Sequence, residues 1–249
     1  MLPKTIVGID IETTDLDPQK GDIIEVAALR YSFADTTQVI DRFTCLCKPT
    51  RLISAEITAL TGINDAMVAQ SRPFAQVLPE LAAFIGDDPV FAHNASFDVG
   101  WLDYNGLSIE KSRVIDTYRL AMVAWPEAES YSLSVLSEAV GIKKQALSTI
   151  GRGPHSAEYD VEMAWRLVCA AQQVLVASPE TYPKIIDLLD HGSLGHYKGF
   201  FSKLSSPAAH NPYPAPSAVL PLLKGEKKEP QVFSPYEGEI PPEAGRGLY

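Results

Sequence analysis

Val7-Gly8-Ile9-Asp10-Ile11-Glu12-Thr13-Thr14 is the stretch on which the rest of the chain turns. Its β-branched residues Val7, Ile9 and Ile11 alternate with Gly8, Asp10 and Glu12, the period of a strand. Asp10 and Glu12 therefore leave the same face. Two carboxylates side by side on a mostly apolar strand repel each other, and such a pair is costly unless a cation sits between them. A hard divalent cation such as Mg²⁺ prefers carboxylate oxygens and answers the need. The plainer reading is an edge strand whose two acids face water, and the short D-x-E pattern does not separate the two.

The 249 residues suit one domain of ordinary size plus an appendage, with two small domains as the alternative. A hydrophobic content of 46% is enough for a substantial core. The chain reaches Asp10 too soon for a secretory signal, and no apolar run approaches membrane length, so a soluble, cytoplasmic protein without a membrane partner is expected. Cys45, Cys47 and Cys169 make no disulfide framework and are too few for a closed zinc site; small buried residues are expected there. A formal net charge of −10 argues against coating nucleic acid by bulk electrostatics. It is compatible with an enzyme that grips only a strand end, since an active site built of acids is itself negative until metal arrives.

Outward from the opening strand, Asp22–Arg30 reads as a second strand, with an apolar run of Ile23, Ile24, Val26 and Ala27, and Val39–Lys48 as a third. Short connections suggest an antiparallel meander. Ser54 can cap a short helix that Gly62 ends. Phe74, Val77, Leu78, Leu81 and Phe84 recur at helical spacing, with Pro79 predicting a kink or a late start. Pro89–Ala92 reads as a buried strand, Asn94 as the cap of a helix with Phe97, Trp101 and Leu102 on its apolar face, and Val114-Ile115 as a brief strand ending at Asp116. Leu133, Leu136 and Val140 mark another helix. The longest helical pattern runs from Val161 to Leu175 behind a Gly-Pro loop, with Ser156 as its natural N-cap. Three meander strands followed by alternating helices and strands predict an α/β mixed sheet with helices on both sides. Residues 179–204 are expected to add a short helical extension. From Ser205 the chain is proline-rich, predicting an extended tail over 205–249.

Two more acids stand out. Asp98 falls in the first turn of a helix that follows a buried strand, where sites of open α/β sheets cluster, although an acid there also complements the helix dipole. In His155-Ser156-Ala157-Glu158-Tyr159-Asp160 a histidine on a glycine-flanked loop precedes an acid in the first helical turn; a solvent-facing histidine and a dipole-stabilising acid are the plain alternative. Taken jointly, four carboxylates are what a two-metal phosphodiesterase site needs. A histidine titrating near neutrality is a natural general base for the attacking water, and a Gly-Pro loop would let it close on substrate.

The segments Asp10–Thr14, His93–Asp98 and His155–Asp160 resemble, in order and spacing, the three motifs of the DEDDh exonucleases of the DnaQ-like superfamily. Ile57–Asn64 and Asp116-Thr117 also look like family positions, and the resemblance spans about residues 4 to 177. It implies a ribonuclease H-like fold over residues 1–178 and two divalent cations, Mg²⁺ or Mn²⁺. Asp10, Glu12, Asp98 and Asp160 would be the metal ligands, His155 the general base, and Thr13, Thr14 and Leu60 the residues lining the terminal nucleotide. The run Ala92–Asp98 and Trp125-Pro126 look most like the exodeoxyribonuclease X subgroup.

The implied activity is metal-dependent 3′–5′ hydrolysis at nucleic-acid 3′ ends, with DNA and single-stranded ends favoured, for repair, proofreading or turnover. The alternatives are an RNA-trimming member of the same family and a non-catalytic nuclease-like scaffold whose protein partner binds the proline-rich tail. Lys143, Lys144 and Arg152 could touch substrate phosphates or be ordinary solvated side chains. A haloacid-dehalogenase-type phosphatase would want an aspartate where Glu12 stands and would leave the histidine motif without a use.

Overall fold

The computed structural model describes residues 5–32, 39–142 and 153–176. The proline-rich segment, the extension expected over residues 179–204, and Lys143, Lys144 and Arg152 lie outside the described residues.

Among the described residues a five-stranded sheet runs in the order β3-β2-β1-β4-β5, from β1 (Thr5–Thr13), β2 (Ile23–Ser32), β3 (Val39–Leu46), β4 (Val90–Ala92) and β5 (Val114–Asp116). The first three form the expected antiparallel meander, whereas β1 pairs with β4, and β4 with β5, in parallel. β1 thus sits in the centre, where the sheet changes from antiparallel to parallel.

Strand alternation sorts β1 onto two cores. Val7, Ile9 and Ile11 pack with Val26 and Ala28 of β2 against α3 (Phe74–Ile85) and α4 (Ala95–Tyr104). On the other face Ile6, with Ala27, Leu29 and Tyr31 of β2, packs against α5 (Thr117–Ala124), α6 (Leu133–Ala139) and the long α7 (Ala157–Val176). A smaller cluster of Ile24, Ile53, Ile63 and Val68 seats α1 (Ala55–Thr61) and α2 (Asp65–Val68).

Two details fix α7 on β1. Gly8 lies on the α7 face, and a Cβ there would come within 2.3 Å of the Phe91 ring and 2.6 Å of Val161 Cγ1, so only glycine admits the helix this closely. Farther along, Trp165 stacks on Tyr31 with ring centroids 4.5 Å apart.

Several local expectations are corrected. α3 begins at Phe74 and runs through Pro79 to Ile85, so of the two outcomes expected from Pro79, a kink or a late start, the late start does not occur. Its buried face of Phe74, Val77, Leu81 and Ile85 outweighs the backbone bond that Pro79 removes. The sequence reading leaves Asp65–Val68 and Thr117–Ala124 without helices; both are short, and each starts on an acceptor side chain, Asn64 for the Met67 amide and Asp116 for the Tyr118 amide. Ser54 and Gly62 cap α1 as expected, Gly62 in the left-handed region at φ 72°. Asn94 and Ser156 do not cap as expected, for reasons that belong to the site.

Candidate active site and metal centre

Asp10 and Glu12 project from the last residues of β1 on the face covered by α7. α7 brings Asp160, one residue before the Val161 that rests on Gly8. Carboxylate oxygens of Asp10, Glu12 and Asp160 all lie within 4.8 Å of one another, and this group could hold a metal ion.

Asp98 enters from the other side of the strand. β4 ends at Ala92, so the β1 edge that donates from Val7 N to Pro89 O has lost its partner strand by Ile11. Asp98, buried in the first turn of α4, takes over: its Oδ1 accepts from the Ile11 amide at 3.1 Å. The amide lies between Asp10 and Glu12 in sequence, so Asp98 is held against the strand that carries them. It is outside the three-acid group, yet its charge is the largest of those that act on Asp10.

The electrostatics fit a cation. Burial, followed by the charges of Asp98, Asp160, Glu12 and Glu25, holds the Asp10 carboxyl well above the usual carboxylate range. Asp98 is pushed up to about 8, by burial first and then by Asp116 and Asp160, although its own amide and that of Ile11 oppose the shift. Asp160 rises to about 7 through burial and Glu25, against the lowering effect of the His155 amide. Among the described residues no lysine or arginine forms an ion pair with Asp10, Asp98 or Asp160. Mutually repelling carboxyls of this kind take a divalent cation readily once deprotonated.

A family model for exonucleases (RNase_T) matches residues 7–168. The chain belongs to this exonuclease family. Its relatives include a PolC-type DNA polymerase III of Listeria innocua, 32% identical over 78% of this chain and 13% of the relative, and the 3′-5′ exonuclease DinG of Bacillus subtilis, 33% identical over 66% and 17%. The chain therefore spans under a fifth of the length of these curated relatives. Among solved structures, exonuclease X in complex with 5′ overhanging duplex DNA matches with a TM-score of 0.52 and 25% identity over 70% of this chain and 92% of that one. Escherichia coli exonuclease I in complex with a dT13 oligonucleotide matches with a TM-score of 0.56 and 20% identity over 75% and 43%, a likeness of fold. The family likeness agrees with the ribonuclease H-like mixed sheet described above.

Within this family frame the histidines separate. His155 is exposed, its backbone is left-handed at φ 61°, and its amide donates to Asp160 Oδ2 at 3.2 Å, so the residue is tied to the site while its ring is presented to solvent. His93 has both ring nitrogens engaged, Nδ1 with Thr117 Oγ1 at 2.9 Å and Nε2 with Tyr131 O at 2.8 Å, and burial holds its pKa below the usual value. It ties strand to helix and has no nitrogen left for a water. His191, His196 and His210 lie outside the described residues.

The threonines expected to line the substrate make hydrogen bonds within the loop after β1. Thr13 Oγ1 donates to Asp15 O at 2.7 Å, and Thr14 Oγ1 accepts from the Asp22 amide at 2.8 Å. Leu60 on α1 is 53% exposed and open to a ligand. Cys47 and Cys169 are buried and Cys45 half-buried, all three as free thiols.

Two further acids stand beside the site: Asp116, expected only as a strand end and a family position, and Glu25, which the sequence reading passes over. Asp116 Oδ1 accepts from the Asn94 amide at 3.1 Å as well as from Tyr118 N at 2.9 Å, and so steadies the turn before α4. Asn94 itself is left-handed at φ 64° and accepts from Ser96 Oγ instead of capping the helix. Glu25 stands opposite Glu12 in the β1–β2 register, 2% exposed, and its Oε2 accepts from Ala157 N at 3.0 Å. Ser156 Oγ, the expected cap, is buried with no partner among the described residues. The signal for Glu25 was a lone acid inside the apolar run Ile23-Ile24-Glu25-Val26-Ala27.

Proposed function

We propose that this chain is a 3′–5′ exonuclease that hydrolyses the terminal phosphodiester of DNA, with single-stranded ends favoured. The observation that carries the reading is the convergence of Asp10, Glu12 and Asp160 within 4.8 Å, with Asp98 fastened to the amide between the first two. Asp10, Glu12, Asp98 and Asp160 would hold two divalent cations, Mg²⁺ or Mn²⁺, which when bound supply positive charge to the scissile phosphate and the leaving oxygen. His155 accepts a proton from the attacking water. The water oxygen bonds to phosphorus, the bond to the 3′ oxygen of the penultimate nucleotide breaks, that oxygen takes up a proton from solvent, and a 5′-mononucleotide leaves.

His155 is suited to the role by exposure and by the amide bond that fixes its loop to Asp160. Leu60 offers an apolar surface for the terminal base, and Thr13 and Thr14, held by hydrogen bonds in the loop after β1, line the terminal nucleotide with it. The choice of DNA is supported by the relatives, named as DNA polymerases, and by the neighbour solved with duplex DNA. Residues 1–178 form the catalytic unit in this reading, and the proline-rich segment recruits a protein partner.

The test uses matched DNA and RNA oligonucleotides labelled at their 5′ ends, with Mg²⁺, with Mn²⁺ and with chelator. The expected result is a ladder of DNA shortened from the 3′ end that chelator abolishes. Faster shortening of RNA would move the chain to the RNA-trimming alternative, and no shortening of either would leave the scaffold.

A further inference from the structure

We propose that Glu25 is a positioning residue for the reaction, a cap supplied from the sheet that sets the first turn of α7 and with it Asp160 and the His155 loop. The inference rests on the function proposed above.

The first amide of a helix has no partner within the helix. In α7 that group is Ala157 N, and Ala157 is fully buried, so water is not available to it. Ser156, at the N-cap position, could reach only the second or third amide of the helix, and its hydroxyl makes no hydrogen bond among the described residues. Glu25 Oε2 fills the position at 3.0 Å, from 132 residues away in sequence.

The placement has a consequence for the site. Glu25 faces α7 in register with Glu12, so one carboxylate links the strand pair carrying Asp10 and Glu12 to the helix turn carrying Asp160. Asp160 is one turn beyond Ala157, and its Oδ2 accepts from the His155 amide at 3.2 Å. The chain from β2 through Glu25, Ala157 and Asp160 to His155 is thus continuous. Arg42 of β3 adds an outer tie through its ion pairs with Glu158 and Glu162, but these grip the side of the helix and leave the Ala157 amide to Glu25. An acid is the residue type for this task because the positive end of the helix dipole favours a charged acceptor. The same charge raises the pKa values of Asp10 and Asp160, a cost that a mere core residue would not bring.

Two variants separate reach from charge. Glu25→Gln keeps an acceptor at full length without the charge. Glu25→Asp keeps the charge but withdraws it by roughly 1.5 Å, one carbon–carbon bond, beyond hydrogen-bond distance of Ala157 N. Steady-state release of nucleotides from a 5′-labelled DNA strand should show Glu25→Gln within about threefold of wild type, and Glu25→Asp reduced ~10–100-fold in kcat with KM little changed, the size seen when groups that orient metal ligands are lost.

Amide exchange at Ala157, followed by NMR in metal-free protein, should be protected in wild type and Glu25→Gln and accelerated in Glu25→Asp. A Glu25→Asp enzyme with wild-type kcat and a protected amide would overturn the proposal. So would Glu25→Gln losing as much kcat as Glu25→Asp while its Ala157 amide stays protected, because a held helix start would then not be what the reaction needs. If wild type itself releases no nucleotide under any metal, the function proposed above fails, and the exchange pattern still decides whether Glu25 holds the helix.

Discussion

Asp98 shows how a single side chain links fold to chemistry. Its carboxyl completes the β1 edge where β4 stops, and the same burial drives its pKa to about 8. Asp160 follows at about 7, and both lie above the ~3.9 of an unfolded aspartate. The metal-free native state therefore binds more protons than the unfolded chain between about pH 4 and 8, and its stability falls as pH rises through that window. Thermal melting in chelator should give a lower Tm at pH 8 than at pH 5.5, and added Mg²⁺ should raise Tm far more at pH 8, where no proton competes.

Asp10→Asn should abolish the Mg²⁺-dependent rise in Tm and lower turnover ~10³-fold or more, several kcal/mol of transition-state stabilisation. In chelator its Tm should equal or exceed that of wild type, because a repelling charge has gone. His155→Ala should cost ~10²–10⁴ in rate and leave the Mg²⁺ effect on Tm intact. A rate within a few-fold of wild type would remove His155 as the base.

The packing of α7 on β1 carries the next level of organisation. Gly8, Val161 and Asp160 work as a unit: without a side chain at position 8 the helix settles on the strand, and the residue beside Val161 reaches the acids. Gly8→Ala should destabilise the protein by ~1–3 kcal/mol, as overpacking does, and should lower kcat as well, because relief of the clash moves Asp160. Denaturant titration and steady-state rates check both halves; an unfolding midpoint and rate equal to wild type would show that the helix does not depend on this close approach.

The legible elements were those whose signal is local. Alternation in Val7–Glu12 placed β1, and helical spacing placed α3, α4 and α7. The motif acids were legible as a set, although no spacing rule put Asp98 on the Ile11 amide. What the residues concealed was remote partnership: Asn94 and Ser156 have the chemistry of caps, but Asp116 and Glu25, distant in sequence, hold those helix starts. Glu25 was hidden inside an apolar run that reads as strand with or without it.

In the whole molecule, a sheet that switches from antiparallel to parallel at β1 gathers the carboxyl ends of β1 and β4 and the start of α7 in one place, the general position of sites in open α/β sheets. Among the described residues no helix is long and apolar enough to cross a membrane. If residues 1–178 are the catalytic unit, a fragment ending at residue 204 should degrade short oligonucleotides at the full-length rate. A collapse in rate would make the proline-rich segment part of the working enzyme.

The proposed reaction requires that acids from β1, α4 and α7 meet closely enough to hold a pair of cations. Anomalous diffraction from crystals grown with Mn²⁺ at pH 8 tests it most directly. Two peaks are expected roughly 3.5–4 Å apart, bounded by Asp10, Glu12, Asp98 and Asp160. No peak at the end of β1, or a peak that leaves Asp98 and Asp160 uninvolved, would contradict it.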